Sequence, residues 1–213
     1  TGDLMKALFI TFEGIEGCGK STQSKMLNNC LLEEGYQVLL TREPGGPVIS
    51  EKIRHLLLDI AHQEMTPETE ILLYLASRAQ HTAEWIIPAL KQNAVVICDR
   101  YYDSTFAYQG SARKIDLDTI RCINTFATYG KVPDLTFYID IPVDVSIERI
   151  KTKKQDRLEN ECKAFHEEVK KGFDQLLTEN PDRYVHIDGQ LDIETIHNKI
   201  KEIVLWKLKE GKK

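Results

Sequence analysis

The sequence has little of what marks a secreted, membrane-spanning or zinc-bound protein. Its five cysteines are odd in number, widely spaced and without a Cys-x-x-Cys pair, which argues against a disulfide framework. Its six histidines show no metal-binding spacing. Its purely apolar runs are only a few residues long, too short to cross a bilayer. We predict a cytoplasmic protein with reduced thiols, no membrane partner and, if any metal, a hard cation bound through oxygen.

Positive charge is also scarce relative to negative charge: 28 Lys and Arg residues stand against 33 Asp and Glu, a net charge of -5. This balance argues against a nucleic-acid coat protein, so we expect no nucleic-acid partner. The N-terminal segment has no long apolar stretch before a small-residue cleavage site and predicts no signal peptide. Because no repeat or inter-domain linker is visible, we predict a single domain over residues 1–213.

What the sequence does contain is a rhythm of short apolar segments separated by helical patterns. The segments of strand length are Ala7–Phe12, Val38–Leu40, Ala94–Cys98, Leu135–Ile139 and Tyr184–Ile187. Nearly continuous apolar strands are typical of parallel sheets that are buried on both faces. The pattern predicts an α/β fold of three layers, a five-stranded parallel sheet flanked by helices. Thr66 and Pro67 predict the start of a long helix reaching about Pro88, and Asp192 predicts the cap of the last helix.

One glycine-rich segment, Gly14 to Ser21, fits the P-loop pattern G-x-x-x-x-G-K-[ST] and lies between the first strand and a helical pattern. In that context the glycines let successive N–H groups point at phosphate oxygens, and the helix N-terminus adds positive charge. Lys20 would reach the β- and γ-phosphates, and the Ser21 hydroxyl would bind Mg²⁺. The predicted ATP-binding residues of this segment are Gly14, Ile15, Glu16, Gly17, Cys18, Gly19, Lys20, Ser21 and Thr22.

A P-loop alone leaves the reaction open, because GTPases, ATPases and small-molecule kinases all use it. Guanine recognition needs an Asn-Lys-x-Asp string. The nearest string here begins at Asn198, lacks the aspartate and falls inside the last helical pattern. The sequence therefore disfavours GTP as the donor.

Three further polar segments follow or face the predicted strand ends. The string TREPGG leaves the second strand, with Arg54 in the helical pattern after it. The string YLASRAQ places Tyr74 and Arg78 on one helix face. The string DRYYDSTFAYQG leaves the third strand as a predicted loop beginning with Asp99 and Arg100. Because the ends of parallel strands open on one edge of the sheet, where ligands bind, we expect these segments to meet.

Structural alternatives stay open at several of these positions. Tyr74 lies in a very apolar stretch and also fits core packing. Glu43 also fits a turn, and Arg100 also fits a bridge to an acid. The acids considered for that bridge are Glu43 and Asp103. Asp99 is the candidate Mg²⁺-binding acid, because an arginine and a polar stretch follow it directly. The other strand-ending aspartates are Asp140 and Asp188.

In these motifs the sequence resembles the bacterial-type thymidylate kinases: a P-loop with an internal acid, TREPGG, an aromatic-x-x-x-Arg helix and the DRY…AYQG string. The motifs stand in order between about residues 7 and 190. The resemblance implies a P-loop kinase fold and transfer of the γ-phosphoryl group of ATP to dTMP, which yields ADP and dTDP for dTTP synthesis. It also implies Mg²⁺ as cofactor and a homodimer.

The resemblance further implies roles for single side chains. Tyr74 would stack on the thymine and Arg78 would hydrogen-bond the base edge. Thr105 and Gln109 would close the pyrimidine pocket, and Tyr108 would disfavour a ribose 2′-hydroxyl. The implied dTMP-binding set is Glu43, Arg54, Tyr74, Arg78, Arg100, Thr105, Tyr108 and Gln109.

On the phosphate side, the resemblance implies that Arg54 and Arg100 hold the acceptor phosphate. Asp99 and Glu43 would organise Mg²⁺, its waters or the phosphate-binding arginine. The implied metal-binding residues are Ser21 and Asp99, and the implied catalytic residues are Glu16, Lys20, Asp99, Arg100, Lys153 and Arg157.

Residues 149–161 concentrate positive charge between two helical patterns. As a bare charge run this is typical of a solvated helix end. In the related kinases the region is a mobile lid, which carries the catalytic cation when the P-loop has no arginine, as here. The lid candidates are Lys153, Lys154 and Arg157. Arg149 resembles the residue that packs on the adenine.

Other functions stay open at this point. A deoxynucleoside kinase with a similar Asp-Arg dipeptide would phosphorylate thymidine rather than dTMP. A P-loop ATPase acting as a switch or partition protein would hydrolyse ATP without a small acceptor and respond to DNA. A noncatalytic nucleotide sensor is opposed by the intact Lys20, Ser21 and Asp99.

Overall fold

The computed structural model describes residues 7–152 and 155–210, and a sheet of five parallel strands forms its centre. The strands are β1 (Leu8–Glu13), β2 (Val38–Arg42), β3 (Val95–Asp99), β4 (Leu135–Asp140) and β5 (Tyr184–Asp188). Their order across the sheet is β2-β3-β1-β4-β5. Each predicted strand is present and ends one or two residues later than expected, because the polar residues at its end still join the ladder. The predicted α/β fold is confirmed.

Helices flank this sheet and connect its strands. They are α1 (Lys20–Glu33), α2 (Val48–Leu58), α3 (Pro67–His81), α4 (Ile87–Lys91), α5 (Tyr102–Thr105), α6 (Leu117–Ala127), α7 (Val143–Ile150), α8 (Lys163–Glu179) and α9 (Ile193–Glu210). Two π-helical segments, Thr82–Ile86 and Phe106–Ala112, continue α3 and α5. Within residues 7–152 and 155–210, every helix is too short or too polar to span a bilayer.

The central strand β1 is buried along its whole length. It pairs with β3 on one side and β4 on the other, with Phe12 opposite Asp99 and Glu13 opposite Tyr138. Because all the strands run parallel, their carboxyl ends form one edge. That edge brings the residues after β1, β2 and β3 together.

The predicted helix caps are confirmed, and one helix changes its geometry. The Thr66 hydroxyl accepts from the Thr69 N–H at 3.3 Å, and Asp192 accepts from the Thr195 N–H at 2.9 Å. The helix that begins after Thr66 was expected to continue to about Pro88, but α3 widens into the π-helical segment after His81. Pro88 has no N–H to donate, and the wider turn lies just before it.

The stretch after β3 was predicted as a loop, and this prediction is wrong. The chain forms α5 and then the π-helical segment Phe106–Ala112, which packs against α8. Gly172 permits that approach, since a Cβ there would lie 2.8 Å from the Ala107 Cα. Tertiary packing thus overrides the polar, loop-like composition.

Candidate functional site

A cavity of about 560 Å³ opens at the carboxyl edge of the sheet. It joins the P-loop to the segments that follow β2 and β3. The sequence-predicted residues that line it are Glu16, Gly17, Gly19, Lys20, Ser21, Thr22, Glu43, Arg54, Tyr74, Arg78, Asp99, Arg100, Thr105, Tyr108, Gln109 and Arg149. The donor-side and acceptor-side motifs, which are distant in sequence, therefore share one cavity.

The P-loop glycines hold backbone conformations that other residues rarely adopt. Gly14, Gly17 and Gly19 have φ values of 137°, 72° and 105°. A Cβ at Gly14 would also collide with the carbonyl oxygen of Ile139. The loop leads directly into α1, whose first turn carries no acidic residue. Such a turn favours an anion at its N-terminus.

Lys20 is buried in this loop. Its ammonium donates to the carbonyl oxygens of Gly14 at 3.0 Å and Ile15 at 2.9 Å. Three predicted positions, Gly14, Ile15 and Cys18, do not line the cavity, and the Ile15 and Cys18 side chains pack in the core. Gly14 and Ile15 therefore contact Lys20 through their backbone carbonyls, whereas Cys18 contacts it through its Sγ at 3.5 Å.

Ser21 and Asp99 meet across the floor of the cavity, where the Ser21 hydroxyl donates to Asp99 Oδ2. A hydroxyl oxygen beside a carboxylate is a donor set that suits Mg²⁺. No group of three or more metal-binding His, Cys, Asp or Glu side chains occurs in the part of the chain that the structure describes. Asp140, by contrast, pairs with Lys170 at 2.8 Å.

Arg100 directs its side chain toward the P-loop. Its backbone has φ 69°, a left-handed conformation that turns the chain sharply after β3. The guanidinium donates to the Gly14 carbonyl at 2.8 Å and to the Tyr108 hydroxyl at 3.1 Å, and it pairs with Glu16. The partner acid is therefore neither Glu43 nor Asp103.

Glu16 is the acid inside the P-loop. Burial works to raise the pKa of Glu16, but the charges of Arg100 and Lys20 lower it to about 2. Glu16 is therefore ionised at neutral pH and holds Arg100 against the loop.

Glu13 was not predicted as a site residue, yet it anchors this turn. It is fully buried at the end of β1 and accepts from the Tyr101 N–H at 2.8 Å and the Ser104 hydroxyl at 2.6 Å. Burial and the nearby charge of Asp103 raise the pKa of Glu13 to about 8. An acid that ends the buried string LFITFE is the sequence signal that marks it.

Arg78 donates four hydrogen bonds within the pocket. Its Nε donates to Glu43 at 2.7 Å, and its Nη1 donates to Thr105 and Asn124, each at 2.7 Å. Its Nη2 donates to the Tyr101 carbonyl at 3.2 Å. A guanidinium has five N–H groups, so one on Nη2 remains for a ligand.

Glu43 lines the cavity and is buried against two side chains. Its Oε2 accepts from Arg78 Nε at 2.7 Å, and its Oε1 lies 3.0 Å from His81 Nδ1. The other ring nitrogen, His81 Nε2, lies 2.8 Å from the Thr41 hydroxyl. The sequence led us to expect Glu43 at Mg²⁺, at its waters or at a phosphate-binding arginine. In the structure its carboxylate contacts Arg78 and His81.

The aromatic residues form one wall. Tyr74 packs against the core and also lines the cavity. Tyr108 packs between Phe165 and Phe173, with ring centroids 6.2 and 6.3 Å away. Near this wall, Arg54 Nη1 donates to the Pro44 carbonyl at 2.8 Å.

The lid region departs most from expectation. Lys153 and Lys154 lie outside the described residues. Arg157 does not line the cavity; it is buried, donates to the Leu57 carbonyl at 2.9 Å and lies 2.6 Å from Glu70. The described residues of the region 149–161 that line the cavity are Arg149, Ile150, Asp156, Leu158 and Glu159. Between residues 155 and 161, the charged side chains at the cavity are therefore those of Asp156 and Glu159, not that of Arg157.

Arg149 lies between the P-loop and the segment after β5. It donates to the Gly17 carbonyl at 3.2 Å and to the Gly189 carbonyl at 3.3 Å. This places a planar guanidinium where the two segments meet at the rim of the cavity.

Two buried polar residues near the pocket were missed by sequence reasoning. Asn124 on α6 supports Arg78, and Glu70 on α3 binds Gln109. Asn124 lies one helical turn from the buried Ile120, and Glu70 lies one turn from Tyr74, which packs against the core. A polar residue on an apolar helix face was the available signal.

Comparisons with a family model, with curated proteins and with solved structures all find similarity to thymidylate kinases. The family model described as Thymidylate kinase matches residues 12–200. A thymidylate kinase of Exiguobacterium is 45% identical over 97% of this chain and 98% of its own length. That of Geobacter sulfurreducens is 47% identical over 92% and 96%. A crystal structure of thymidylate kinase from Ehrlichia chaffeensis matches with a TM-score of 0.77 and 36% identity, covering 94% of this chain and 99% of that one.

Proposed function

Because the chain belongs to the thymidylate kinase family and so catalyses transfer of the γ-phosphoryl group of ATP to dTMP, we propose that the two halves of the cavity hold these two substrates. ATP lies on the P-loop, and dTMP lies over the segments after β2 and β3. The observation that supports this most is the contact of Arg100 with both halves. An oxygen of the dTMP phosphate attacks the γ-phosphorus, and the bond from that phosphorus to the β,γ-bridging oxygen breaks, so ADP leaves with the electron pair.

The acceptor half recognises a deoxypyrimidine. Tyr74 stacks on the base, Arg78 offers its remaining N–H to a base carbonyl, and Thr105 and Gln109 close the pocket. Tyr108 stands where a ribose 2′-hydroxyl would lie. Selectivity of this kind rests on buried polar groups that a wrong base leaves unpaired.

The phosphates are held mainly by positive charge. Arg54 and Arg100 bind the acceptor phosphate, and Lys20 with the P-loop N–H groups binds the donor phosphates. Ser21 and Asp99 hold Mg²⁺, which supplies charge neutralisation to the phosphates when bound. Transfer needs no protein nucleophile, because the acceptor phosphate is itself nucleophilic.

The lid and Arg149 complete the donor side. Arg149 packs on the adenine beside the segment after β5. Arg157 acts in this proposal as the anchor of the lid segment on α3 rather than as the transition-state cation. That leaves Lys153 or Lys154 as the lid cation, and both lie outside the described residues.

The assignment predicts a specific substrate profile. In a coupled assay of ADP release, we expect dTMP to give the highest kcat/KM of the nucleoside monophosphates and thymidine to give no turnover. Phosphorylation of thymidine but not dTMP would favour a deoxynucleoside kinase. ATP hydrolysis that needs no acceptor and responds to DNA would favour a switch or partition ATPase.

A homodimer is the proposed assembly. Apolar side chains are exposed on α2, α3 and α6, and α3 packs on both of the others. The side chains are Ile49, Leu56, Leu72 and Phe126, the last of which is 85% exposed. Ile49 and Leu56 lie two turns apart on one face. We expect dimers by sedimentation velocity, and a Phe126→Glu variant that becomes monomeric; a wild type that is monomeric at micromolar concentration would exclude this assembly.

We also propose a cytoplasmic location for the protein. All five cysteines are free thiols, which suits a reducing compartment. Cell fractionation tests this directly, and recovery from an oxidising compartment would contradict it.

A further inference from the structure

We propose that Glu70 sets the base selectivity of the acceptor pocket by fixing the orientation of the Gln109 side-chain amide, an inference that rests on the function proposed above. Glu70 lies on α3 and is only 1% exposed. It does not line the cavity, so it reaches a ligand only through its neighbours. We therefore treat it as a positioning residue.

The contact with Gln109 defines which end of the amide faces the ligand. Gln109 Nε2 donates to Glu70 Oε1 at 2.8 Å. Gln109 is 2% exposed and lines the cavity. Within the described part of the chain its side-chain carbonyl oxygen accepts no hydrogen bond. Since the amide nitrogen and oxygen stand at opposite corners of a planar group, the carbonyl is left as an acceptor for the base.

Two arginines ensure that Glu70 only accepts. Arg113 donates to Glu70 Oε1 at 3.3 Å and to Oε2 at 3.2 Å, and Arg157 Nη2 lies 2.6 Å from Oε2. Burial works to raise the pKa of Glu70, but the hydrogen bonds from Arg113 and Gln109 and both arginine charges hold it below its usual value. An ionised carboxylate has no proton to donate, so it binds only the NH₂ end of the amide.

This orientation matches thymine and conflicts with cytosine. Thymine presents an N3–H donor flanked by carbonyl acceptors, so Gln109 Oε1 accepts from N3 while the remaining Arg78 N–H donates to a carbonyl. Cytosine presents a lone pair at N3 and an amino group at C4. With cytosine, Gln109 Oε1 would face the N3 lone pair, and the Arg78 N–H would face the C4 amino group. Such buried mismatches are strongly disfavoured. Uracil carries the same hydrogen-bonding edge as thymine.

The test is the Glu70→Gln variant, which keeps the size of the side chain and removes its charge. A neutral amide donates as well as accepts, so the Gln109 amide is able to turn over. We expect the ratio of kcat/KM for dTMP to that for dCMP to fall about tenfold or more. The ratio for dTMP to dUMP should stay within about twofold, because these bases differ only in the methyl group. In a Gln109→Leu background, Glu70→Gln should change neither ratio further.

Glu161→Gln is the matched control, because Glu161 pairs with Arg113 at 2.6 Å and lies one link farther from Gln109. It should leave the dTMP to dCMP ratio within about twofold. A folded Glu70→Gln variant with the wild-type ratio, or with an equal loss against dUMP, overturns the inference. If that variant does not fold, Glu70→Asp withdraws the carboxylate from Gln109 and is judged by the same ratios. A wild type that does not phosphorylate dTMP overturns the proposed function instead.

Discussion

Replacing Arg100 with alanine is expected to lower kcat/KM for dTMP by about 10²- to 10³-fold while ATP affinity changes only a few-fold. The guanidinium contacts the P-loop at the Gly14 carbonyl and pairs with Glu16, so its charge lies between the two substrates. Phosphoryl transfer depends on positive charge placed in advance where two anions meet. The variant loses that cation and leaves the Glu16 carboxylate without its paired arginine beside the proposed acceptor-phosphate site. Steady-state kinetics and calorimetric titration with ATP separate the two effects.

Two further variants make this prediction specific. Arg100→Lys keeps the charge but not the planar guanidinium. Its kcat/KM for dTMP should lie between those of the wild type and Arg100→Ala. Adding Glu16→Gln to Arg100→Ala removes the uncompensated carboxylate and should recover about tenfold of the lost kcat/KM. If Arg100→Ala turns over dTMP at the wild-type rate, the phosphate-binding role is wrong. If Glu16→Gln restores none of the lost kcat/KM, Glu16 does not repel the acceptor phosphate in the Arg100→Ala variant. The role of Arg100 as the cation would still stand.

The positions of the site residues were largely predictable, because parallel strands present their carboxyl ends on one edge. Asp99 and Arg100 follow a buried strand, and the glycine pattern places Lys20 next to them. Their pairings were not predictable. The left-handed backbone at Arg100 turns its side chain toward Glu16, and Glu13 stabilises that turn from another strand. The acid that ends LFITFE marks Glu13 in the sequence, but the partners of Glu13 and Arg100 are not visible in the local sequence.

The contacts of Arg157 in the lid region were likewise not predictable from the sequence. In the sequence Arg157 belongs to a run of cationic residues, and this predicts a side chain that faces solvent or substrate. Its position is decided by Glu70, a carboxylate on a different helix, and by the end of α2. Helical periodicity places Glu70 on α3, but its partners depend on how α3 packs against the lid and the π-helical segment Phe106–Ala112. Partner choice for buried charges is a tertiary property.

Arg78→Leu is expected to lower the free energy of unfolding by about 3–5 kcal/mol and to abolish detectable turnover of dTMP. Arg78 is 2% exposed and donates to Glu43, Thr105 and Asn124. Removing it leaves the Glu43 carboxylate buried without its main cationic partner. Leaving one charge of a buried pair unpaired costs more than the pair contributes as a whole. Urea denaturation monitored by circular dichroism measures the change.

The source of this cost can be tested with a second substitution. Adding Glu43→Gln to Arg78→Leu removes the unpaired charge, so the double variant should unfold at a higher urea concentration than Arg78→Leu alone. It should remain inactive, because the N–H that Arg78 offers to the base is still missing. If Arg78→Leu unfolds within about 1 kcal/mol of wild type, Glu43 is not held as a buried charge. If stability is restored without activity, the Arg78 guanidinium has two separable functions. It neutralises the buried Glu43 carboxylate, and it donates a hydrogen bond to the base.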